Sequence, residues 1–359
     1  MKIVKDQSFA DSICDLRTRK IKAVFFQQVN DLLDWNAISK IIDDGYSKGK
    51  SAVGTAAYDG LLLFKMCLLQ TWYGLSDYEV EDRINDSISF SYFCGLTIEQ
   101  TAPDHSTLSR FRSRLTKSGV YDHLFKEINR QLEKREIIVK SGAIVDASVV
   151  DTPRKPKGKP SHQLPDDITD KEVITDKENE LPSPTSKSVS AGTDLEAAWV
   201  KKRGKLRYGY KKHYVTDLEG LVIGVHTTAA NVHEITNLEE VLATADLPIG
   251  IPVKADKGYK SKKNDTLLID KKLKNHLLKK ATKGKPLSAR AKQFNKGVGK
   301  IRFKVERTFG GIRRWFGGGV ARYIGHAKMH TQNLMEAVCY NLYRSPGIVM
   351  SNSIQSAKK

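Results

Sequence analysis

Residues 208–231 read YGYKKHYVTDLEGLVIGVHTTAAN, and this stretch decides the fold of the second half of the chain. Two runs of alternating apolar and polar residues flank TDLEG, in which Asp217 and Gly220 are typical turn residues. Alternation with a period of two predicts strands rather than helices. The stretch therefore predicts a β-hairpin.

Further strands and helices are predicted on both sides of this hairpin. GAIVDASVV (142–150) and PVKAD (252–256) are strand-like, whereas NLEEVLATADL (237–247) and MHTQNLMEAVCYNLYR (329–344) are helical, the last as a core helix. The order strand, hairpin, helix, strand, helix is typical of an α/β domain with a mixed sheet. We assign this domain to residues 139–345.

The first 138 residues are predicted to form an all-helical N-terminal domain. YDGLLLFKMCLLQTWYG (58–74) is apolar at helical spacing. Ser76 would cap a second helix, and a later one starts at Asp104 or Ser106 and ends at Gly119, with another helix directly after it. Such a pair is compatible with a DNA-binding helix-turn-helix, but also with plain packing. The residues that would contact DNA there are Arg110, Arg112 and Arg114.

Two segments are predicted to lie outside the packed core. Residues 152–195 are rich in Pro, Ser, Lys, Asp and Glu, and residues 166–180 alone carry seven acids and two lysines. Such a composition cannot bury enough apolar surface to order itself, so we expect a disordered insert. Residues 346–359 are expected to be a flexible tail.

The net charge of +19 is unevenly distributed. The first 138 residues carry 19 basic and 19 acidic residues, whereas residues 254–304 carry 18 basic and only three acidic ones. This density favours a polyanion partner over a merely solvated surface. No apolar stretch is long enough for a membrane helix or a signal core, and the four cysteines form no CxxC pair. We therefore expect a soluble, cytosolic protein.

Three carboxylates are candidates for catalysis. Asp146 and Asp256 are each predicted to sit at the end of a buried strand in this basic half of the chain. Asp151 competes with Asp146, but it lies five residues further on and would point to the other face of the strand, so we prefer Asp146. An isolated Asp at a strand end is usually a turn or cap residue. Two such positions in one basic domain weaken that explanation.

The third carboxylate comes from GKIRFKVERTFGGIRRWFGGG (299–319). At 100° per residue the helix has a buried stripe of Ile301, Val305, Phe309 and Ile312. Arg302, Glu306 and Arg313 form a second stripe beside it. One interpretation is an ordinary surface ion pair between Arg302 and Glu306, which contributes about 0.3–0.5 kcal/mol. The other is that the helix presents Glu306 to the edge of the sheet, with the guanidiniums of Arg302 and Arg313 placed to bind phosphates.

Three carboxylates at one place suit a pair of hard divalent ions, which would activate a water or a 3′-hydroxyl for attack on phosphorus. We therefore expect two Mg²⁺ ions, with Mn²⁺ as a substitute.

Trp199 would stack on a base or sugar, or simply pack. Basic residues are expected to hold the DNA backbone; besides the three arginines of the helix pair they are Lys201, Lys202, Arg203, Lys211, Lys212, Lys257, Lys260, Arg302 and Arg313.

Several motifs, in order, resemble those of bacterial insertion-sequence transposases, specifically the IS-five family. They are PDHSTLSRFRSRL, IVDASVV, GYKKHYVTDLEGLVIGVHTTAANVHE, ADKGY and VERTFGGIRRW, and the likeness runs from about residue 40 to 345. Transposases of this family are DDE enzymes with an RNase H-like catalytic domain. The resemblance implies that Asp146, Asp256 and Glu306 are the metal-binding catalytic triad.

Related families carry a Y-x2-R-x3-E-x6-K signature around the third acid. Arg302 and Glu306 match it, Arg313 replaces the lysine, and Gly299 stands at the tyrosine position. The resemblance implies a transposase that binds the terminal inverted repeats of its element and cleaves and transfers DNA strands. It further implies a homodimer, double-stranded DNA as partner, and a place in the bacterial cytoplasm at the nucleoid. The alternative is a non-enzymatic, sequence-specific DNA-binding protein derived from such a transposase.

Overall fold

The predicted mixed sheet is present, and it has six strands in the part of the chain that the structure describes. The structure is a computed structural model that describes residues 20–46, 57–156, 192–202, 204–281 and 286–356. The strands are β1 (Ala143–Asp151), β2 (Ala198–Lys202), β3 (Lys205–Thr216), β4 (Val222–Ala229), β5 (Pro252–Ala255) and β6 (Lys274–Leu277).

Strand β1 lies at the centre of the sheet. It pairs with β3 in the antiparallel sense and with β5 in the parallel sense. β3 also pairs with β4 and β2, both antiparallel, and β5 pairs with β6 in parallel. The strand order β4-β3-β1-β5-β6, with the hairpin strands antiparallel and the later strands parallel, is the RNase H-like arrangement that the family resemblance implied.

The hairpin between β3 and β4 turns at the residues that its sequence indicated. The carboxylate of Asp217 accepts hydrogen bonds from the backbone N–H groups of Glu219 (2.9 Å) and Leu221 (2.8 Å). Gly220 has a φ of 87°, a conformation that glycine adopts without strain. The hairpin prediction is confirmed.

Helices fill the described part of the first 138 residues and cover the sheet. They are α1 (Lys20–Leu32), α2 (Trp35–Gly45), α3 (Gly60–Tyr73), α4 (Asp77–Asp86), α5 (Ile88–Cys94), α6 (His105–Lys117), α7 (Val120–Lys134), α8 (Leu238–Ala243), α9 (Lys262–Asp270), α10 (Ala289–Phe316) and α11 (His326–Ser356), with a 3₁₀ turn at Lys257–Tyr259. No helix in the described ranges combines the length and apolar character of a membrane span.

The last helix, α11, joins the N-terminal helices to the sheet. Its Cys339 carbonyl accepts a 3.0 Å hydrogen bond from the indole of Trp72 in α3, and Tyr214 of β3 donates to the Asn333 carbonyl of the same helix. One continuous cluster of buried apolar residues extends from Phe26 to Leu342. The helical part and the sheet therefore share a core.

The ends of the predicted insert and tail are corrected by the structure. Thr152 and Asp194, inside the predicted insert, are buried, and the Asp194 carboxylate accepts hydrogen bonds from the Tyr210 hydroxyl at 2.8 Å. Residues 157–191 lie outside the described residues. The predicted tail begins inside α11, which contains Pro346 and continues to Ser356.

Candidate active site

Asp146 and Asp256 lie side by side at one edge of the sheet. In the parallel pairing of β1 with β5, Val145 lies opposite Ala255, so each aspartate is the next residue of its strand. β5 ends there, and the Asp256 carboxylate accepts a 2.8 Å hydrogen bond from the Lys257 N–H that opens the 3₁₀ turn.

One detail of the prediction is wrong. Asp146 does not end its strand but is the fourth residue of β1, which runs on to Asp151 because it stays paired with β3. β5 therefore ends beside the site, whereas β1 continues past it.

Glu306 reaches the same place from helix α10. The buried face of α10 is the predicted one: Val305, Phe309 and Ile312 are buried, and the Phe309 ring stacks on Tyr214 at 5.1 Å. Arg302, one turn before Glu306, donates to Asp146 Oδ2 at 2.8 Å and to Glu306 Oε1 at 2.5 Å. A single guanidinium thus connects the helix carboxylate to the strand carboxylate.

The charges at this site are strongly coupled. Burial raises the pKa of Asp146 to about 6, although Arg302 and the Ala147 N–H lower it, and the nearby acids Glu234 and Asp256 raise it further. Burial alone would lower the pKa of Arg302, but Asp146 and Glu306 raise it above its usual value. The site therefore favours an additional positive charge.

The donors at this edge suit a hard divalent cation, because all of them are carboxylate oxygens. In the conformation described for residues 20–356, outside the gaps, no three His, Cys, Asp or Glu side chains are close enough to hold one ion together. The guanidinium of Arg302 occupies the space between Asp146 and Glu306 and acts as their cation. The residues fit a divalent metal in chemistry and charge, with Arg302 as its competitor.

A fourth acid near the site was missed by the sequence reasoning. Glu234 lies in the turn after β4. Burial is the main reason why the pKa of Asp146 is raised, and the charge of Glu234 raises it further. The sequence signal for it is that Glu234 is the last residue of the motif GYKKHYVTDLEGLVIGVHTTAANVHE. Asp151, the competitor of Asp146, is held instead by Arg207, with 2.6 Å between Nη2 and Oδ2.

Several of the predicted DNA contacts have exposed side chains. Arg110 and Arg114 lie on the outer face of α6, while Leu108, Phe111 and Leu115 face inward as predicted. Arg313 reaches the hydroxyl of Ser148, two residues along β1 from Asp146. Lys201, Lys202 and Lys257 are exposed, and Lys260 pairs with Asp265 at 2.5 Å. Arg203 lies outside the described residues.

Three predicted DNA contacts are contradicted by burial or pairing. Lys212 is 0% exposed and forms a 2.6 Å ion pair with Glu336 of α11, because β3 is covered on both faces. Lys211 is buried and donates to the Val232 carbonyl. Arg112 pairs with Asp77 at 2.8 Å inside the helical layer.

Trp199, for which stacking on DNA and packing remained open, packs with its ring centroid 5.0 Å from that of Tyr208.

Comparisons with known proteins agree with this geometry. The family model "Transposase domain (DUF772)" matches residues 15–114, and the model "Transposase DDE domain" matches residues 138–342. The transposase for insertion sequence element IS1106 of Neisseria meningitidis serogroup B is 33% identical over 238 residues, covering 66% of this chain and 76% of the relative.

Two solved structures show a more distant likeness. The piggyBac transposase synaptic complex with hairpin DNA gives a TM-score of 0.42 at 10% identity and covers 96% of this chain and 78% of the other. The Mos1 strand transfer complex gives 0.19 at 11% identity, covering 84% and 81%. At such scores these likenesses add nothing to the family assignment. The match over residues 138–342 and the IS1106 relative decide it: the chain belongs to the DDE transposases of bacterial insertion sequences, enzymes that cut and join DNA with divalent metal ions.

Proposed function

We propose that Asp146, Asp256 and Glu306 are the catalytic triad with which this transposase cleaves the ends of its own insertion sequence and transfers the cut strands. The observation that supports this best is the parallel pair Val145–Ala255, which places Asp146 beside Asp256, together with the Arg302 bridge that brings in Glu306. Membership of the IS-five family is part of the proposal and rests on the quoted motifs.

The proposed cofactor is a pair of Mg²⁺ ions, with Mn²⁺ as a substitute. Divalent ions bound by these carboxylates supply activation of a water or 3′-hydroxyl and stabilisation of the leaving oxygen. The chain contributes rigid placement: β1 fixes Asp146, the 3₁₀ turn fixes Asp256, and the buried face of α10 fixes Glu306. Arg302, when it no longer bridges the acids, is free to pair with a phosphate.

The proposed substrate is double-stranded DNA, at the terminal inverted repeats and at the target. Exposed cations surround the acidic edge: Lys257 follows Asp256 directly, and Arg313 lies beside Ser148. Phosphate contacts of this kind position DNA without reading its sequence. Arg110 and Arg114 on α6 are proposed to contact the repeat itself. Strand transfer requires two ends at once, so we propose a homodimer that acts at the nucleoid.

The decisive experiment measures cleavage and binding of an element-end duplex separately. Asp146→Asn, Asp256→Asn and Glu306→Gln each keep the size of the side chain and remove its charge, so cleavage falls by several orders of magnitude while DNA binding persists. Asp151→Asn is the matched control, because Asp151 pairs with Arg207 outside the acid cluster. If all the variants cleave, the non-enzymatic DNA-binding alternative replaces the proposal.

A further inference from the structure

Two arginines reach the part of strand β1 that continues past the end of β5. β5 pairs with β1 only as far as Val145, whereas β1 runs on to Asp151. Arg207 of β3 binds the Asp151 carboxylate with two hydrogen bonds, 2.7 Å from Nε to Oδ1 and 2.6 Å from Nη2 to Oδ2. Arg313 of α10 donates to the hydroxyl of Ser148. Ser148 and Asp151 lie three residues apart and point to opposite faces of the strand, so the two guanidiniums approach β1 from its two faces.

The two guanidiniums carry more positive charge than their surroundings balance. Asp151 is already paired with Arg207, and Arg313 forms no ion pair within the described ranges. The pKa of Arg313 is lowered, first by desolvation and then by the charge of Arg207, although Asp151 raises it. Two guanidiniums beside a single carboxylate are unfavourable unless a further anion joins them.

Ser148 gives an independent sign that a ligand belongs here. It is 4% exposed, and its Oγ accepts from Arg313, but its own proton has no acceptor in the part of the chain that the structure describes. Its backbone is held in place, because Ser148 lies opposite Lys212, which is bound to Glu336. A buried donor without an acceptor is unfavourable, and an acceptor oxygen of a bound molecule would complete its hydrogen bonds.

A phosphodiester suits these donors. Its oxygens accept hydrogen bonds, its negative charge balances the second guanidinium, and its geometry matches the planar fork of an arginine. Ser148 lies two residues from Asp146 on the same face of β1, a distance of about 6.6 Å along the strand. This distance is comparable to the separation of successive phosphates in one DNA strand. A phosphate bound at Ser148 would therefore lie next to the one at the acidic edge.

We propose that Arg207, Arg313 and Ser148 form a clamp for one phosphate of the DNA strand, next to the bond that is cleaved. The inference rests on the proposed function and adds Arg207 and Ser148 to it, whereas Arg313 is already a proposed DNA contact. The clamp holds the strand in register with the proposed triad and reads no base, because it contacts the phosphate alone.

The test starts with affinity for DNA, measured by fluorescence anisotropy on an element-end duplex and on a duplex of unrelated sequence. Arg207→Met and Arg313→Met should each weaken binding of both duplexes on the order of tenfold. The double variant should bind only slightly more weakly than either single variant, because both arginines hold the same phosphate. Lys126→Met is the control, because Lys126 is exposed on α7, and it should leave binding unchanged.

Two results of this measurement would overturn the clamp. Losses that multiply to about a hundredfold in the double variant would show two separate contacts. Single variants that bind like the wild type would show that the arginines do not contact DNA at all.

Neutral methylphosphonate linkages, placed one at a time along the element-end duplex, locate the phosphate. The wild type should lose affinity when the linkage next to the cleaved bond is neutral. Arg207→Met and Arg313→Met should be insensitive to that linkage and remain sensitive to others. If both variants still lose affinity there, the arginines bind elsewhere and the inference is wrong.

Ser148→Ala separates a role in binding from a role in the fold. The melting temperature of the DNA-free protein should change little, because the hydroxyl proton has no acceptor, yet DNA should bind more weakly and with less sensitivity to the same linkage. A lower melting temperature with unchanged DNA affinity would show that the hydroxyl only supports the fold.

Asp146→Asn distinguishes failure of the clamp from failure of the proposed function. If Asp146→Asn binds but does not cleave, while the three clamp variants bind like the wild type, the clamp is overturned and the triad stands. If Asp146→Asn cleaves like the wild type, the proposed triad is wrong, and the affinities of the unrelated duplex still decide whether the clamp exists.

Discussion

The guanidinium of Arg302 lies 2.8 Å from the carboxylate of Asp146, with Nη1 donating to Oδ2. Its other terminal nitrogen donates to Glu306, so one positive charge is shared by two members of the proposed triad. The side chain of Arg302 is 18% exposed, and the interaction is therefore only weakly screened by water. A divalent cation that binds here has to displace this charge.

Removing the charge of Arg302 should therefore strengthen metal binding. We expect Arg302→Met to bind Mn²⁺ more tightly in the absence of DNA, by a factor on the order of ten, since a shift of about 1.4 kcal/mol is enough. Calorimetry measures the change directly. Arg314→Met is the control, because Arg314 is exposed on the same helix and its change should have no effect. Weaker Mn²⁺ binding in Arg302→Met would mean that Arg302 supports the metal site rather than competing for it.

The buried ion pair between Lys212 and Glu336 should matter for stability and not for DNA. Lys212 also donates to the Gly318 carbonyl, so Lys212→Met removes the donor of that carbonyl and leaves Glu336, which still accepts from Gln332 at 2.8 Å, without its cation. Breaking a buried pair destabilises a protein by about 3–5 kcal/mol, whereas replacing both partners by apolar residues is often neutral. We expect a large loss of unfolding free energy in urea for Lys212→Met and a partial recovery in Lys212→Met with Glu336→Leu.

Lys201 provides the matched comparison. It is exposed on β2, so Lys201→Met should leave stability within about 0.5 kcal/mol. If Lys201 contacts a phosphate, the same change should flatten the slope of log affinity against log salt by about 0.9. A flattened slope with unchanged stability in Lys212→Met would reverse the two assignments.

The contrast between Lys212 and the hairpin turn shows what the sequence could predict. Asp217 and Gly220 form a turn through bonds within five residues, so their role is visible locally. The partner of Lys212 is Glu336, 124 residues away, and nothing near Lys212 indicates it. β3 is covered on both faces from Tyr208 to Thr216, so alternation could not separate an inward from an outward lysine.

The candidate site shows the same limit. The motifs pointed to Asp146, Asp256 and Glu306, and the sheet register places the first two side by side. Glu234 was not singled out, because its proximity depends on how Asn264 joins two separate loops. The helical spacing of α10 correctly indicated its buried face, but not that Arg302 would bridge two acids.

Asp217 should make stability depend on pH. Burial raises its pKa from 3.8 to about 6, although backbone N–H groups, that of Leu221 first, lower it. The folded state therefore binds this proton more tightly than the unfolded state, and the resulting stabilisation is present below pH 4 and is lost as the pH rises through 6. Asp217→Asn retains the amide oxygen as acceptor for Glu219 and Leu221 and cannot ionise.

The measurement compares the unfolding free energies of wild type and Asp217→Asn between pH 4 and pH 7.5. The variant should gain on the wild type as the pH rises, by a total on the order of 1–3 kcal/mol. Glu239→Gln is the control, because Glu239 is an exposed acid outside this turn, and its change should leave the pH profile as in the wild type. Parallel pH profiles for wild type and Asp217→Asn would show that Asp217 stays charged in the fold.

The insert should be replaceable up to, but not including, its anchored ends. The backbone N–H of Asp194 donates to the Arg154 carbonyl at 2.9 Å, so the two ends meet and a short Gly/Ser linker can replace residues 157–191. We expect the melting temperature to change by only a few degrees, because loop length contributes little to stability.

Asp194→Ala should destabilise by about 1–3 kcal/mol instead, since it leaves the buried Tyr210 hydroxyl and the Gly325 N–H without their acceptor. The linker variant should also bind non-specific DNA more tightly if the seven acids of residues 166–180, which it lacks, screen the basic surface. A collapse of folding in the linker variant, with Asp194→Ala unaffected, would show that the replaced segment and not its anchor contributes to the core.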